Sequence, residues 1–311
     1  MRRTPSALLA VGIPVLGLPI LSLLLPVNAQ QSTRGKIVFD SNRDGQAGIF
    51  VMDSDGANVK RVVLTPAGKM SGFPDWSPDG KKIAFASDRD GPMEIYVINV
   101  DGTNMQRLTH STTEVANIGP DWSPDGSEIA FGVQSPPGSS REIHVMNADG
   151  SDEHSLTPSE LRAAFPAWSP DGKRLAFTSF QTREIYVMNV DGSDARPITH
   201  APPGGAANAA ANAPAWSPDG KRIAFDTISG GDWDIWVIDA DGSNQRQLTR
   251  FGANTARPAW SPDGKSIAFH STRDGPGNGS MDFEIYVMEA DGSHVRRLTS
   301  NRAFDAHPDW R

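Results

Sequence analysis

The stretch PDWSPDGKKIAFASDRDG, Pro74 to Gly91, packs four aspartates, two glycines and a tryptophan into eighteen residues. Such a composition suits a metal loop, a catalytic motif or a turn between strands. Recurrence decides among them, and internal repeats are the first thing to seek in a chain of this kind. The tryptophan of W-S-P-D-G returns at Trp76, Trp122, Trp168, Trp216 and Trp260, with a shortened copy at Pro308-Asp309-Trp310. Successive gaps are 46, 46, 48, 44 and 50 residues. After each full copy comes a short apolar run, from Ile83-Ala84-Phe85 to Ile267-Ala268-Phe269, and Ile37-Val38-Phe39 stands before them all. A second run follows, as in Glu94-Ile95-Tyr96-Val97, then an Asp-Gly turn, then a segment ending in threonine.

These runs are too short, and too rich in β-branched and aromatic residues, for helices. Four short strands at a period near 46 mark a β-propeller blade. The chain starts with the second, third and fourth strands of a blade and ends with a lone first strand. Joining Trp310 to the Ile37 strand gives an all-β, six-bladed propeller with four antiparallel strands per blade and no open ring edge. In Ser77-Pro78-Asp79-Gly80 the proline presets a turn dihedral and the glycine accepts a positive φ. Asp239-Ala240-Asp241-Gly242-Ser243-Asn244 starts like a calcium loop. An EF-hand, however, needs glycine sixth and an acid twelfth, where this chain has glycine fourth and Arg250 twelfth. The repeated aspartates read as punctuation.

Arg2 and Arg3 precede an apolar run from Ala7 to Leu25, and Val27-Asn28-Ala29 ends in a small residue. That layout predicts a signal peptide over 1–29, cleaved near Ala29, with retention as an N-terminal anchor the alternative. Residues 30–35 are then a linker and 36–311 the propeller. With no cysteine, there is neither a disulfide framework nor a lipid-accepting thiol, so the core alone must hold the fold. Loss of Arg2 and Arg3 takes the net charge from −8 to −10, which excludes nonspecific nucleic-acid binding.

A repeat such as FPAWSPDGKRLAFTSFQTREIYVMNVDGSDARPIT, Phe165 to Thr199, resembles the propeller repeat of the TolB family. The resemblance runs from about Lys36 to Arg311. It implies a periplasmic or secreted protein, peripheral to the membrane at most, with envelope partners. TolB carries an α/β domain ahead of its propeller and serves in the Tol–Pal system, whereas here six residues separate Ala29 from Lys36.

Strand alternation puts the uniform W-S-P-D-G and Asp-Gly turns on one mouth of the ring. The connections of unequal length, including 110–117, 134–140, 200–212 and 272–282, fall on the other. Variable loops on a rigid scaffold are where binding resides. The expected partner site therefore draws on Trp233, Asp232, His110, His200, His307 and Arg257, with the three histidines assigned to fourth-to-first connections. Trp236, in the place of the usual tyrosine, reads as packing. Asp75, Asp121 and Asp309 precede the tryptophan in three contiguous blades where the others have alanine. They are candidate ligands for a divalent cation such as calcium, no other cofactor being expected. The Arg-Asp-Gly loops at Arg43, Arg89 and Arg273 are expected to be shaped by pairing of their own arginine and aspartate. There is no G-x-S-x-G elbow, cysteine nucleophile or H-x-x-x-H spacing, so no catalytic residue is assigned. The leading expectation is a monomeric protein-binding scaffold of the bacterial cell envelope that recognises a protein or peptide. The rival is a glycan- or lactone-directed lyase or hydrolase with a cation in the channel. Oligogalacturonate lyases share the repeat style, but theirs are seven-bladed rings.

Overall fold

The computed structural model describes Met1 and residues 35–112, 114–136, 140–199, 211–229, 231–275, 282–301 and 303–311. The expected signal peptide, most of the linker, His200 and most of the 200–212 loop lie outside the described residues. Within them, six sheets of four strands form the propeller. Each blade is named here by the tryptophan that ends its innermost strand: Ser71–Trp76, Ala116–Trp122, Ala163–Trp168, Ala211–Trp216, Thr255–Trp260 and Asp305–Trp310. In the Trp310 blade that strand pairs antiparallel with Lys36–Ser41, Ile37 opposite Trp310 and Ser41 opposite Asp305. The tail thus supplies the inner strand of the blade that the head begins, as the repeat count requires.

Each tryptophan wedges between two blades. Trp76 packs with Val38, Ile49 and Val51 of the blade behind it and with Ile83, Phe85 and Tyr96 of its own. Trp216 packs likewise with Ile185, Val187 and Ile198 behind and Ile223 and Phe225 in its own blade. Trp310 repeats this against Ala268, Ile285 and Val287 across the closure. The core is therefore six inter-blade seams rather than one central mass, and the short apolar runs are what fill them.

The turns confirm the punctuation reading. Ser77 Oγ donates to Asp79 Oδ1 at 2.8 Å and accepts the Lys82 N–H at 2.9 Å, and the same pattern recurs in the other W-S-P-D-G copies. Asp241 Oδ1 accepts the Ser243 N–H at 2.9 Å, so the calcium-like stretch is a hairpin turn. In five blades the outermost strand is two residues long. The following threonine completes it: Thr109 Oγ1 accepts the Ile95 N–H at 2.9 Å, with counterparts at Thr157, Thr199, Thr249 and Thr299.

The Asp-Gly glycine also sets the spacing of the outer rim. Gly56 has φ +91°, and a Cβ there would lie 2.7 Å from the Leu298 carbonyl oxygen of the neighbouring blade. Gly56→Val therefore strains the backbone and pushes apart the closing seam. The expected loss is about 1–3 kcal/mol, read as a lowered urea midpoint. An unchanged midpoint would show that this rim contact is not tight in solution.

Candidate functional site

Every innermost strand carries the same irregularity. Its pairing with the second strand shifts register just before the tryptophan, as between Gly72 and Asp75, and likewise in the other blades. The cause is a proline at positions 74, 120, 166, 214, 258 and 308, which removes a ladder donor from the strand. The residue before each proline takes a positive φ: Phe73 55°, Gly119 59°, Phe165 52°, Ala213 47°, Arg257 59° and His307 48°. Such a conformation costs a non-glycine residue free energy, and clusters of it point to function. All six line the axial channel.

Four of the six plug the channel. The Arg257 guanidinium lies 3.9 Å from the centre of the Phe165 ring and 5.2 Å from that of Phe73. Phe73 in turn meets the His307 ring at 4.2 Å, the two planes tilted by 40°. Beneath this plug is a cavity of 440 Å³ that opens between W-S-P-D-G turns, since Trp216, Pro218, Trp260 and Pro262 line it. On the other side is a buried polar layer from the second strands. Asp226 Oδ1 accepts the Arg257 N–H at 2.9 Å, and Thr178 Oγ1 that of Ala213 at 3.1 Å. His270 Nδ1 accepts the His307 N–H at 3.1 Å, and the His307 ring meets Asp40 at 2.8 Å. Burial, and then the charges of His307 and Arg257, push His270 well below the usual histidine range, so it is neutral.

The three channel aspartates act as latches between blades. Asp309 accepts the Trp76 N–H at 2.9 Å, Asp75 that of Trp122 at 2.8 Å and Asp121 that of Trp168 at 2.7 Å. Where alanine stands instead, the indole takes over: Trp216 Nε1 donates to the Ala167 carbonyl and Trp260 Nε1 to that of Ala215, both at 3.1 Å. The carboxyls lie deep below the rim, and burial is the main force raising all three pKa values. Asp121 is pushed up to about 8, and Asp75 is raised further by the charges of Asp309 and Asp121. Among the described residues no group of three histidines or carboxylates is spaced to hold a metal ion.

This geometry can be set beside known proteins. The TolB beta propeller domain model matches residues 66–136, 111–212 and 133–311, which together span most of the chain. The chain belongs to the TolB β-propeller family. TolB from Acinetobacter baumannii superposes with a TM-score of 0.73 at 23% identity, over 89% of this chain and 66% of that one. The chain thus spans just under two thirds of that TolB. A putative TolB from Agrobacterium tumefaciens gives 0.64 at 22% identity, over 89% and 98%. An oligogalacturonate lyase from Vibrio parahaemolyticus gives 0.56 at 13%, over 86% and 74%. At these identities the likeness is one of fold. No curated protein matches the chain by sequence.

Within this TolB-type propeller the structure brings together some of the expected site residues and separates others. Arg257 and His307 meet at the plug, and Asp75, Asp121 and Asp309 line the cavity beneath it. His307 lies inside the strand Asp305–Trp310, not in a connection as its spacing suggested. His110 is exposed in a loop of the variable mouth. Asp232 and Trp233 open an eight-residue strand, where its counterparts have six or seven residues, Trp233 facing Ile228 across the hairpin. Trp236 is buried, as packing requires. Of the three Arg-Asp-Gly loops, those at Arg43 and Arg89 are not held by their own Arg–Asp pair. Arg89 lies over Phe85 and Tyr96, while Tyr96 Oη donates to Asp90 at 2.9 Å. Arg43 reaches Asp305 at 2.8 Å instead, and only Arg273–Asp274 approaches a pair within its loop, at 3.8 Å. Sequence reasoning missed Phe73 and Phe165. Their signal was the one position before Pro-Asp/Ala-Trp that refuses to repeat, reading Phe, Gly, Phe, Ala, Arg and His around the ring.

Proposed function

We propose that the chain is an exported binding scaffold that docks an envelope protein, or an extended peptide of one, across its variable mouth. One observation carries this reading: a band of aromatic and cationic side chains in successive ring contact that crosses the mouth. Arg141 lies 4.2 Å over Phe180, Phe180 meets Phe165 edge-on at 6.2 Å, and Arg257 covers Phe165. Beyond Phe73 and His307 the band runs on to Phe304 and Phe283. Each of these residues keeps part of its surface open. Aromatic residues and arginine are the groups enriched where partners bind. Trp233, Asp232 and His110 stand as rim contacts in this reading. Export to the periplasm rests on the apolar run from Ala7 to Leu25 and the small residue Ala29 after it.

Photo-crosslinking tests the placement. A benzoylphenylalanine at position 180 or 114 is expected to capture one and the same envelope protein. The same group at Lys173 or Lys221, on the uniform mouth, is expected to capture none. Capture from the uniform mouth alone would move the site to the cavity beneath the plug.

The runner-up is the glycan- or lactone-directed enzyme, which draws on the likeness in fold to oligogalacturonate lyase. A cation held by Asp75, Asp121 and Asp309 would have to compete with the backbone N–H groups those carboxyls already accept. Calorimetric titration with calcium checks it: a stoichiometric heat lost in Asp121→Asn favours the enzyme reading.

A further inference from the structure

Two arginines at the variable mouth sit close together without an acid. Arg141 opens the strand Arg141–Asn147, and Arg162 follows the turn Ser159–Leu161, which packs against that strand. Arg162 is held from both sides. Its N–H donates to the Ser159 carbonyl, and its own carbonyl accepts the Phe180 N–H, both at 3.1 Å. Leu161 beside it is anchored in the Trp168 seam, and Ser179 Oγ donates to its carbonyl at 2.7 Å. The backbone of Arg162 is thereby kept at φ 48°, ψ 51°, a strained state for a residue with a side chain. Arg141 is fixed by the Phe180 ring beneath it.

Neither guanidinium has a carboxylate within ion-pair range among the described residues. Glu142, next to Arg141, turns away to Ser155 Oγ and the His144 ring. Arg162 Nε is buried with no partner. Burial, and then the neighbouring charge of Arg162, lower the pKa of Arg141. Two like charges held together against their repulsion, in a chain of net charge −8, favour an anion between them. Phe180 covers one face of Arg141, and no hydrogen bond engages that guanidinium among the described residues. A planar carboxylate fits the N–H edge of a guanidinium in a two-bonded fork.

We infer that Arg141 and Arg162 form a carboxylate-binding subsite, which takes an acidic side chain of the docked peptide. The inference rests on the scaffold reading for its peptide, but the site is testable without any partner. In the full chain, arginine Nε–H resonances are followed by NMR while the blocked tripeptide acetyl-Gly-Glu-Gly-amide is added. A saturable shift of the Arg162 Nε–H is expected, absent with the glutamine tripeptide. It should weaken by roughly tenfold in Arg141→Gln and also in Arg162→Lys, which keeps the charge but loses the fork. Equal response to the glutamine peptide, or no effect of either variant, overturns the site. Tighter binding of inorganic phosphate, or of digalacturonate, overturns the assignment to a peptide carboxylate. Ligand-free Arg162→Gln is expected to melt no lower than the parent, because a repulsion is relieved. A fall of more than about 4 °C would make Arg162 a structural residue and end the proposal. A shift seen here with no crosslink from position 180 would keep the subsite and remove the scaffold reading.

Discussion

Trp216→Ala lowers stability by about 3–5 kcal/mol, the range for removing a large buried aromatic side chain. Three losses combine at that seam. The ring is 8% exposed and fills the space between two blades, against Ile185, Val187 and Ile198. Its Nε1 donates to the Ala167 carbonyl at 3.1 Å, in the place where other junctions have a carboxylate latch. The Arg174 guanidinium lies 4.7 Å over it and loses its platform. Trp233→Ala is the control. That side chain is only partly buried, beside the turn of its blade's central hairpin, and removing it is expected to cost less than about 1 kcal/mol. Urea unfolding of both variants reads the difference directly as midpoint shifts. A Trp216 loss no greater than that of Trp233 would mean that the seams are not what holds the ring together.

The same seams explain what was legible in the sequence. A tryptophan, a turn and an apolar run must recur wherever one blade packs on the next, so repetition revealed the blade count and the closure through Trp310. The channel was harder to read, because its lining is the one position free to differ. Phe73 and Arg257 serve the same place in two blades, yet share no chemistry for a pattern to catch. His307 was assigned to a connection because Asp305–Trp310 has no apolar alternation to mark where the strand begins. Arg141 and Arg162 belong to different repeats, and only the fold of the intervening turn brings them together. The aspartates before the tryptophan were read as possible cation ligands. Their acceptance of backbone donors from the next blade depends on a junction that one repeat alone cannot show.

Arg257→Ala is expected to cost about 2–3 kcal/mol at pH 8, because the guanidinium leaves its seat over two phenylalanine rings and Asp226 loses the nearby charge that favours its ionised form, and distinctly less at pH 5. Asp226 is fully buried and its second carboxyl oxygen has no partner. Burial raises its pKa to about 7, against the opposing pull of the Arg257 charge. The folded value lies above the unfolded one of about 3.9, so ionising Asp226 opposes folding, and stability declines as pH climbs from about 4 through 7. Without Arg257 the carboxylate loses the cation that favours it, and its folded pKa moves higher still. The penalty is then greatest where the unfolded chain is ionised and the folded one must either ionise unaided or bind a proton. Near pH 5 Asp226 is already protonated in the parent fold, so most of the electrostatic cost disappears and the lost stacking on Phe165 remains. Asp226→Asn in the same chain is expected to restore most of the pH 8 loss, with a coupling between the two sites of more than about 1 kcal/mol. Urea unfolding of the two single variants and the double at both pH values decides the matter. A loss independent of pH, with additive single effects, would reduce Arg257 to a lid on two phenylalanine rings, with no part in balancing the charge buried behind the plug.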